Sequence, residues 1–234
     1  MTTLDFDAFE AITFDCYGTL IDWEAGILAG LRSVLEPRGV TVGDDELLER
    51  YAAAEATLEA GPYQRYRAVL AAGLDRVAHA YGVEPTAAEQ VAFGESVGSW
   101  PAFADSRAAL TRLAKRYRLG VLTNCDDDLF AASNRRLGVA FEWVVTAEQA
   151  RSYKPRAANF ELLLERVGLP PKRILHVAQS LFHDHAPAKR LGLATVWIDR
   201  RQGRPGSGAT PPAEATPDAT FPDMATFAEA ARRS

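Results

Sequence analysis

The feature that most constrains the fold is a series of short apolar runs separated by amphipathic stretches. Five such runs occur, at residues 11–14, 119–122, 143–145, 174–178 and 195–198. Runs that are apolar throughout, rather than alternating, are typical of parallel strands buried on both faces. The stretches between the later runs are long enough for crossover helices. We therefore predict an α/β fold with a doubly wound parallel sheet and helices on both faces.

The connection after the first run is too long for a simple crossover, because it extends from residue 16 to residue 100. Breakers at Pro37-Arg38-Gly39, Gly61-Pro62 and 82–85 divide it into four helical segments, at residues 23–36, 44–59, 63–81 and 86–97. We predict a helical cap domain, residues 20–100, inserted into a core formed by residues 1–19 and 101–234. Within that core, residues 201–217 are rich in Gly, Pro and Ala and predict a surface loop, and residues 224–233 predict a last helix.

Composition narrows the possible classes of partner. The chain of 234 residues is 47% hydrophobic, which is enough for a sizeable core. Its net charge of −5 argues against nucleic acid, since a phosphate backbone requires a basic face. No apolar run approaches the roughly 18 residues that span a bilayer, and residues 1–10 lack the basic and apolar parts of a signal peptide. Cys16 and Cys125 are too few for a disulfide framework, so we expect free thiols and a cytoplasmic protein.

Polar residues follow the apolar runs where ligands bind in open parallel sheets, beyond the carboxyl ends of the strands. They are Asp15 to Thr19, Thr123-Asn124, Lys154 and the segment from Gln179 to His185. Each residue alone also fits a structural role, as a turn residue, a helix cap or a solvated loop side chain. The functional interpretation therefore depends on their order and spacing together.

That combination resembles the haloacid dehalogenase-like superfamily, and in particular its 2-haloacid dehalogenase branch. Residues 14–20 (Phe-Asp-Cys-Tyr-Gly-Thr-Leu) resemble the family's first motif and residues 122–124 its second. Tyr153-Lys154-Pro155 resembles the third motif, and residues 177–184 occupy the fourth. The likeness extends over nearly the whole chain. It implies a Rossmann-like core, a mobile helical cap and an aspartyl-ester intermediate.

Two positions favour a dehalogenase over a phosphatase. The superfamily's phosphatases carry a second Asp two residues after the nucleophile, which protonates the leaving group, and here that position is Tyr17. They also bind Mg²⁺ through acidic residues of the fourth motif, and here the first of those is Gln179, which leaves Asp184. A halide leaves without a proton. We therefore predict a hydrolase that cleaves the carbon–halogen bond of short 2-haloacids without a cofactor, with Mg²⁺ required only under the phosphatase-like alternative.

The resemblance also implies roles for individual residues. Asp15 is the expected nucleophile, Lys154 is expected to lower its pKa, and Asp184 is expected to orient or deprotonate the hydrolytic water. Arg50 on the second cap helix matches the place where the dehalogenases have an arginine for halide or carboxylate. The full set of expected substrate-binding residues is Tyr17, Thr19, Arg50, Thr123, Asn124, Gln179 and His183.

Departures from the family pattern keep alternatives open. Gln179 and Leu181 stand where the characterised dehalogenases have Ser and Asn, His183 replaces a tryptophan, and Phe160 is an aromatic without a hydroxyl. His183 and His185 could supply an extra acid or base, or one could cap a helix while the other faces solvent. Three functions remain: a 2-haloacid dehalogenase, an esterase-like or phosphatase-like hydrolase of the same superfamily acting on another small anion, or a protein that keeps the fold for binding and has little activity. A monomer and a homodimer are both compatible with the sequence.

Overall fold

A parallel six-stranded sheet organises the protein, whose computed structural model describes residues 4–204 and 208–232. The strand order is β3-β2-β1-β4-β5-β6, so β1 lies in the centre between β2 and β4. The strands are β1 Ala11–Phe14, β2 Arg118–Thr123, β3 Trp143–Thr146, β4 Ile174–Ala178, β5 Ala194–Ile198 and β6 Ala219–Phe221. The predicted fold class is confirmed. The edge strand β6 was not predicted, because its three residues are only partly buried and form no apolar run.

Ten α-helices accompany the sheet in the described residues. They are α1 Trp23–Leu35, α2 Asp44–Ala60, α3 Tyr66–His79, α4 Ala87–Glu95, α5 Ser106–Leu113, α6 Asp127–Leu137, α7 Ala147–Ala150, α8 Ala157–Val167, α9 Ala186–Arg190 and α10 Met224–Ala230. Helices α1–α4 fall between β1 and α5, where a four-helix insert was predicted. The exact domain boundaries at residues 19/20 and 100/101 stay a prediction. A π-helical turn, Leu181–His185, precedes α9.

Local sequence signals explain where the inserted helices begin. Asp22 caps α1 by accepting the N–H of Ala25 at 3.1 Å. Three acidic residues in the first turn of α2 stabilise the positive end of its dipole. Thr86 and Glu89 form a reciprocal capping box at the start of α4. The insert is therefore a set of independently specified helices rather than a loop.

Asp126 connects the insert to the sheet. It lies between β2 and α6, and its buried carboxylate accepts the backbone N–H groups of Tyr66 and Arg67 at the start of α3. The Arg67 side chain also donates to Asp126 at 3.2 Å. Because these contacts lie just beyond the carboxyl end of β2, they hold the insert over the edge of the sheet where ligands bind.

The segment 201–217 is only in part the surface loop that we predicted. Arg201, Ala209 and Thr210 are buried. The Arg201 guanidinium pairs with Glu24 of α1 and Asp45 of α2, which draws the segment against the insert. The last helix, predicted at residues 224–233, is α10 and ends at Ala230; Arg233 lies outside the described residues. Within the described chain, no helix has the length and apolar character needed to cross a membrane.

Replacing Asp126 by Ala should reduce the free energy of unfolding by about 3 kcal/mol, because it leaves two backbone donors and Arg67 without their acceptor. Chemical denaturation followed by circular dichroism measures this. The matched control is Asp128→Ala, which removes a carboxylate that also pairs with Arg67 but whose side chain is 62% exposed. We expect the control to cost less than about 1 kcal/mol. Equal losses in the two variants would contradict the role of Asp126.

Candidate active site

Asp15 is positioned by the end of the central strand. Its carboxylate is 6% exposed. The Thr19 hydroxyl donates to Oδ2 at 2.7 Å, and Lys154 Nζ donates to Oδ1 at 2.9 Å. Gly18 allows the chain to turn back so that Thr19 reaches Asp15, since its φ of 91° favours glycine and a Cβ there would lie 3.0 Å from Trp23 Nε1.

Lys154 joins two carboxylates beneath the insert. Its Nζ donates to Asp184 Oδ1 at 2.7 Å and to the carbonyl of Leu122 at 3.0 Å, in addition to Asp15. His176 Nε2 lies 2.9 Å from the same Asp184 oxygen and donates to it, while its Nδ1 accepts from Thr13 at 2.9 Å. Among the described residues, Asp184 Oδ2 has no hydrogen-bond partner. One carboxylate oxygen therefore remains available to a water or a ligand.

Burial and charge act in opposite directions on this cluster. Burial raises the pKa of Asp15 above its usual value of 3.8, while the Lys154 ammonium and the hydrogen bonds from Lys154 and Thr19 oppose the rise. Lys154 thus acts on the pKa of Asp15 in the expected direction, but burial has the larger effect and the net shift is upward. Burial would also raise the pKa of Asp184, but Lys154 and His176 hold it well below its usual range. The two carboxylates in turn raise the pKa of Lys154 despite its burial, so it stays protonated.

These groups enclose a cavity of about 30 Å³, which holds one or two water molecules. Six of the residues expected at the site line it: Asp15, Tyr17, Asn124, Lys154, His183 and Asp184. Residues separated by more than a hundred positions in the chain are thus brought together. A haloacid is larger than this space, so we expect the insert to move away from the sheet when one binds.

Three of the expected residues lie outside the cavity wall. Thr19 is behind Asp15, where it also accepts the N–H of Gln179 at 2.9 Å. Thr123 is buried, and its hydroxyl has no partner among the described residues. The Gln179 side chain lies against Thr210, whose hydroxyl donates to it at 3.3 Å, and lines a neighbouring cavity. These positions support the catalytic groups or face an adjoining space rather than the cavity itself.

Arg50 is not at the site. Its side chain is 48% exposed, donates to Glu46 at 3.2 Å and lies over the ring of Tyr81. The buried face of α2 carries Leu47, Leu48 and Tyr51 instead. Arg50 falls outside that face, so the structure does not support its expected contact with a halide or a carboxylate.

Two acidic residues of α2 reach the cavity and were not predicted. Tyr51 and Tyr66 donate to Glu55 Oε1 at 3.0 and 2.9 Å, and the Asn124 amide donates to Glu59 Oε2 at 3.2 Å. Burial raises the pKa of Glu55 to about 7 and that of Glu59 well above its usual value. Their spacing from Leu48 and Tyr51, which places all four on one helix face, was the signal that could have revealed them.

Neighbouring side chains limit which proton transfers are available. Burial lowers the pKa of His183 to about 4, so its ring is neutral at pH 7. His185 is buried as well, and its Nε2 lies 2.9 Å from the Ala178 carbonyl. The alternative in which one of the two histidines faces solvent is therefore wrong. The Tyr17 hydroxyl lies 3.0 Å from Ser133 and accepts from Cys125, and burial raises its pKa well above 10. Tyr17 therefore cannot replace the missing acid of the phosphatases.

The oxygen atoms at the site do not fit Mg²⁺, which requires near-octahedral oxygen coordination. Both oxygens of Asp15 and one of Asp184 already accept from protein donors, so Asp184 Oδ2 is the one oxygen of these two carboxylates without a partner among the described residues. In the described chain, no group of three or more His, Cys, Asp or Glu side chains could hold a metal ion. We assign no cofactor to the site.

Comparison with known proteins identifies the family of this chain. Residues 9–192 match the family model for haloacid dehalogenase-like hydrolases. The chain belongs to this family. Haloacetate dehalogenase H-2 of Moraxella sp. (strain B) is 27% identical over 195 residues, which are 82% of this chain and 86% of that protein. The haloacid dehalogenase-like hydrolase domain-containing protein 3 of Danio rerio is 32% identical over 109 residues, only 45% of either chain.

Solved structures show the same fold over nearly the whole length. The L-2-haloacid dehalogenase from Xanthobacter autotrophicus has a TM-score of 0.80 at 19% identity, covering 96% of this chain and 98% of its own. A second structure of that enzyme, with chloropropionic acid covalently bound, has a TM-score of 0.79. The family match and these named relatives together identify the protein as a hydrolase.

The pKa of Glu55 predicts that stability depends on pH. Between pH 4.5 and about 7 the folded state retains a proton that the unfolded state has lost, so the free energy of unfolding falls as pH rises. The rise in the pKa of Glu55 from 4.5 to about 7 corresponds to a loss of about 3 kcal/mol in the free energy of unfolding at and above pH 8. Glu55→Gln keeps an acceptor for both tyrosines and should remove this loss.

Urea unfolding at pH 5 and pH 8 measures the effect as the difference between the wild type and Glu55→Gln. The matched control is Glu49→Gln, an exposed position on the same helix, which should follow the wild type at both pH values. If Glu55→Gln also follows the wild type, Glu55 is ionised in the folded protein at little cost and our account of its environment is wrong.

Proposed function

We propose that this hydrolase cleaves the carbon–halogen bond of a short, anionic 2-haloacid through an ester formed on Asp15. The observation that supports this most is the grouping of Asp15, protonated Lys154 and the free oxygen of Asp184 at one closed cavity. A nucleophile, a fixed positive charge and a position for water are the three parts that covalent hydrolysis needs.

In the first step, an Asp15 oxygen attacks the carbon that bears the halogen. A carbon–oxygen bond forms while the carbon–halogen bond breaks, and the electron pair leaves with the halide. No proton is transferred, which agrees with the absence of an acid at Tyr17. Burial of Asp15 reduces its hydration and so leaves less solvent to displace before attack.

In the second step, water attacks the carbonyl carbon of the ester. The bond between that carbon and the substrate oxygen breaks, which regenerates the Asp15 carboxylate and releases the 2-hydroxy acid and a proton. Whichever oxygen of Asp15 remains as the carbonyl keeps a donor that can stabilise its negative charge, Lys154 on Oδ1 or Thr19 on Oδ2. The pKa of Asp184 lies well below its usual range, so this carboxylate is a weak base and we assign its Oδ2 to holding the water, whose proton passes to solvent.

Two further observations support this reaction over phosphate-ester hydrolysis. The oxygens around Asp15 do not provide the ligands that Mg²⁺ requires. The named relatives include a haloacetate dehalogenase and an enzyme solved with chloropropionic acid covalently bound. We also propose a cytoplasmic location, since the thiols of Cys16 and Cys125 are free and buried.

The origin of the product oxygen tests the ester. In a single turnover of L-2-chloropropionate in H₂¹⁸O with enzyme in excess, the hydroxy acid should contain ¹⁶O, because its new oxygen comes from Asp15. After many turnovers, mass spectrometry of the peptide containing Cys16 and Tyr17 should show ¹⁸O in the Asp15 carboxylate. Labelled product in the first turnover, with unlabelled Asp15, would exclude the ester.

Asp15→Asn is the companion variant and should lose turnover, with deamidation excluded by mass. Asp44→Asn, at a carboxylate that is 59% exposed on α2, should retain it.

Turnover should also survive chelation, because no step uses a metal. Halide release measured after dialysis against EDTA should equal that of the untreated enzyme, and added Mg²⁺ should not increase it. A tenfold or greater recovery on adding Mg²⁺, which is about 1.4 kcal/mol of barrier, would instead favour the phosphatase-like alternative.

A further inference from the structure

The cavity contains a large excess of acidic groups. Asp15, Asp184, Glu55 and Glu59 line it, whereas Lys154 is its one cationic side chain in the described residues. His183 is neutral at pH 7. Because Arg50 lies elsewhere, α2 contributes two carboxyl groups and no positive charge to the wall that faces Asp15. Because burial raises the pKa of both glutamates, this wall is at least partly neutral at pH 7, and a cation bound against it would favour the charged form.

Several of the acidic oxygens have no donor. Glu55 Oε1 accepts from both tyrosines and Glu59 Oε2 from Asn124, but among the described residues Glu55 Oε2 and Glu59 Oε1 accept no hydrogen bond. The side chains are well buried, at 4% and 7% exposure. Asp184 Oδ2, fully buried at the same cavity, is also unpaired. Buried polar atoms in folded proteins nearly always have partners, so Asp184 Oδ2 indicates a water or ligand that donates a hydrogen bond, and the two glutamate oxygens offer further acceptors on the cavity wall.

We propose that Glu55 and Glu59 bind a protonated amine of the substrate, next to the carbon that Asp15 attacks. The proposal rests on the proposed displacement by Asp15 and adds a substrate class to it: short 2-haloacids that also carry an ammonium group. An ammonium is a compact cation with three donors and no acceptor, which suits a subsite that offers carboxyl oxygens alone. Because Glu55 and Glu59 line the same small cavity as Asp15, the amine must lie within a few bonds of the reacting carbon.

Two substrates of equal size test the subsite. 3-Amino-2-chloropropionate and 2-chlorobutyrate share the carboxylate and the chlorinated carbon, and differ in an ammonium in place of a terminal methyl group. For the wild type, kcat/KM measured by chloride release should be at least tenfold higher for the amine, after subtraction of a reaction without enzyme. Equal values, or a preference for 2-chlorobutyrate, would overturn the proposal.

Matched variants assign the preference to the two residues. In Glu55→Gln/Glu59→Gln, the ratio of kcat/KM for the two substrates should fall at least tenfold, because the amides keep the contacts to Tyr51, Tyr66 and Asn124 but lose the charge. Each single variant is measured as well, in case the double variant unfolds. Glu49→Gln removes an exposed charge from the same helix and should leave the ratio unchanged. A ratio unchanged in a folded Glu55 and Glu59 variant would also overturn the proposal.

A binding measurement separates this inference from the reaction itself. Ethylammonium chloride titrated into the wild type by calorimetry, at constant ionic strength, should bind, and its affinity should fall at least tenfold in the glutamine variants. Binding with no turnover of either chloro acid would overturn the carbon–halogen reaction and leave the amine subsite standing. Turnover without ethylammonium binding would overturn the subsite and leave the reaction standing.

Discussion

The ammonium of Lys154, buried between Asp15 and Asp184, is the interaction on which the rest of the site depends. Removing charged groups from water costs several kcal/mol per ion, and the cost is offset only where each charge has close partners. Lys154 meets that condition through two carboxylates and the Leu122 carbonyl, all within 3.0 Å. Loss of Lys154 would leave two buried carboxylates without the cation that they share. The central strand β1, its neighbours and the loop before α8 must therefore keep their relative positions.

The sheet and the insert contribute different side chains to the cavity. Asp15 directly follows β1, and Asp184 lies in the π-helical turn after β4. These strands are adjacent where the strand order changes direction, so the sheet holds both carboxylates. The insert supplies the opposite wall through α2 and α3 and is held in place by contacts with Asp126. The reacting atoms can then stay fixed while the wall opens to admit a substrate.

The sequence predicted what depends on strand order and missed what depends on side-chain direction. Asp15, Lys154 and Asp184 follow apolar runs, and parallel pairing brings the ends of such runs together whatever their separation in the chain. The prediction for Arg50 was wrong because its position relative to the motifs identified the correct helix but not the face of that helix. A shift of a few residues along a helix moves a side chain from the cavity to solvent. Glu55 and Glu59 were missed because charged residues on a helix are normally assigned to its exposed side. The pairing of Arg201 with Glu24 and Asp45 depends on a tertiary contact that no local pattern encodes.

The contrast between Arg50 and the two glutamates bears on how specificity is set in this protein. The groups that perform the reaction interact mainly with one another, and their geometry leaves little freedom for substitution without an unpaired buried charge. The wall contributed by α2 has no such constraint, because Glu55 and Glu59 reach the site from a surface helix and are supported chiefly by tyrosine hydroxyls and one amide. Changing the charge of this wall alters which substrate is stabilised while Asp15, Lys154 and Asp184 keep their contacts. Substrate choice can therefore differ from that of the named relatives even where the reaction at Asp15 is the same.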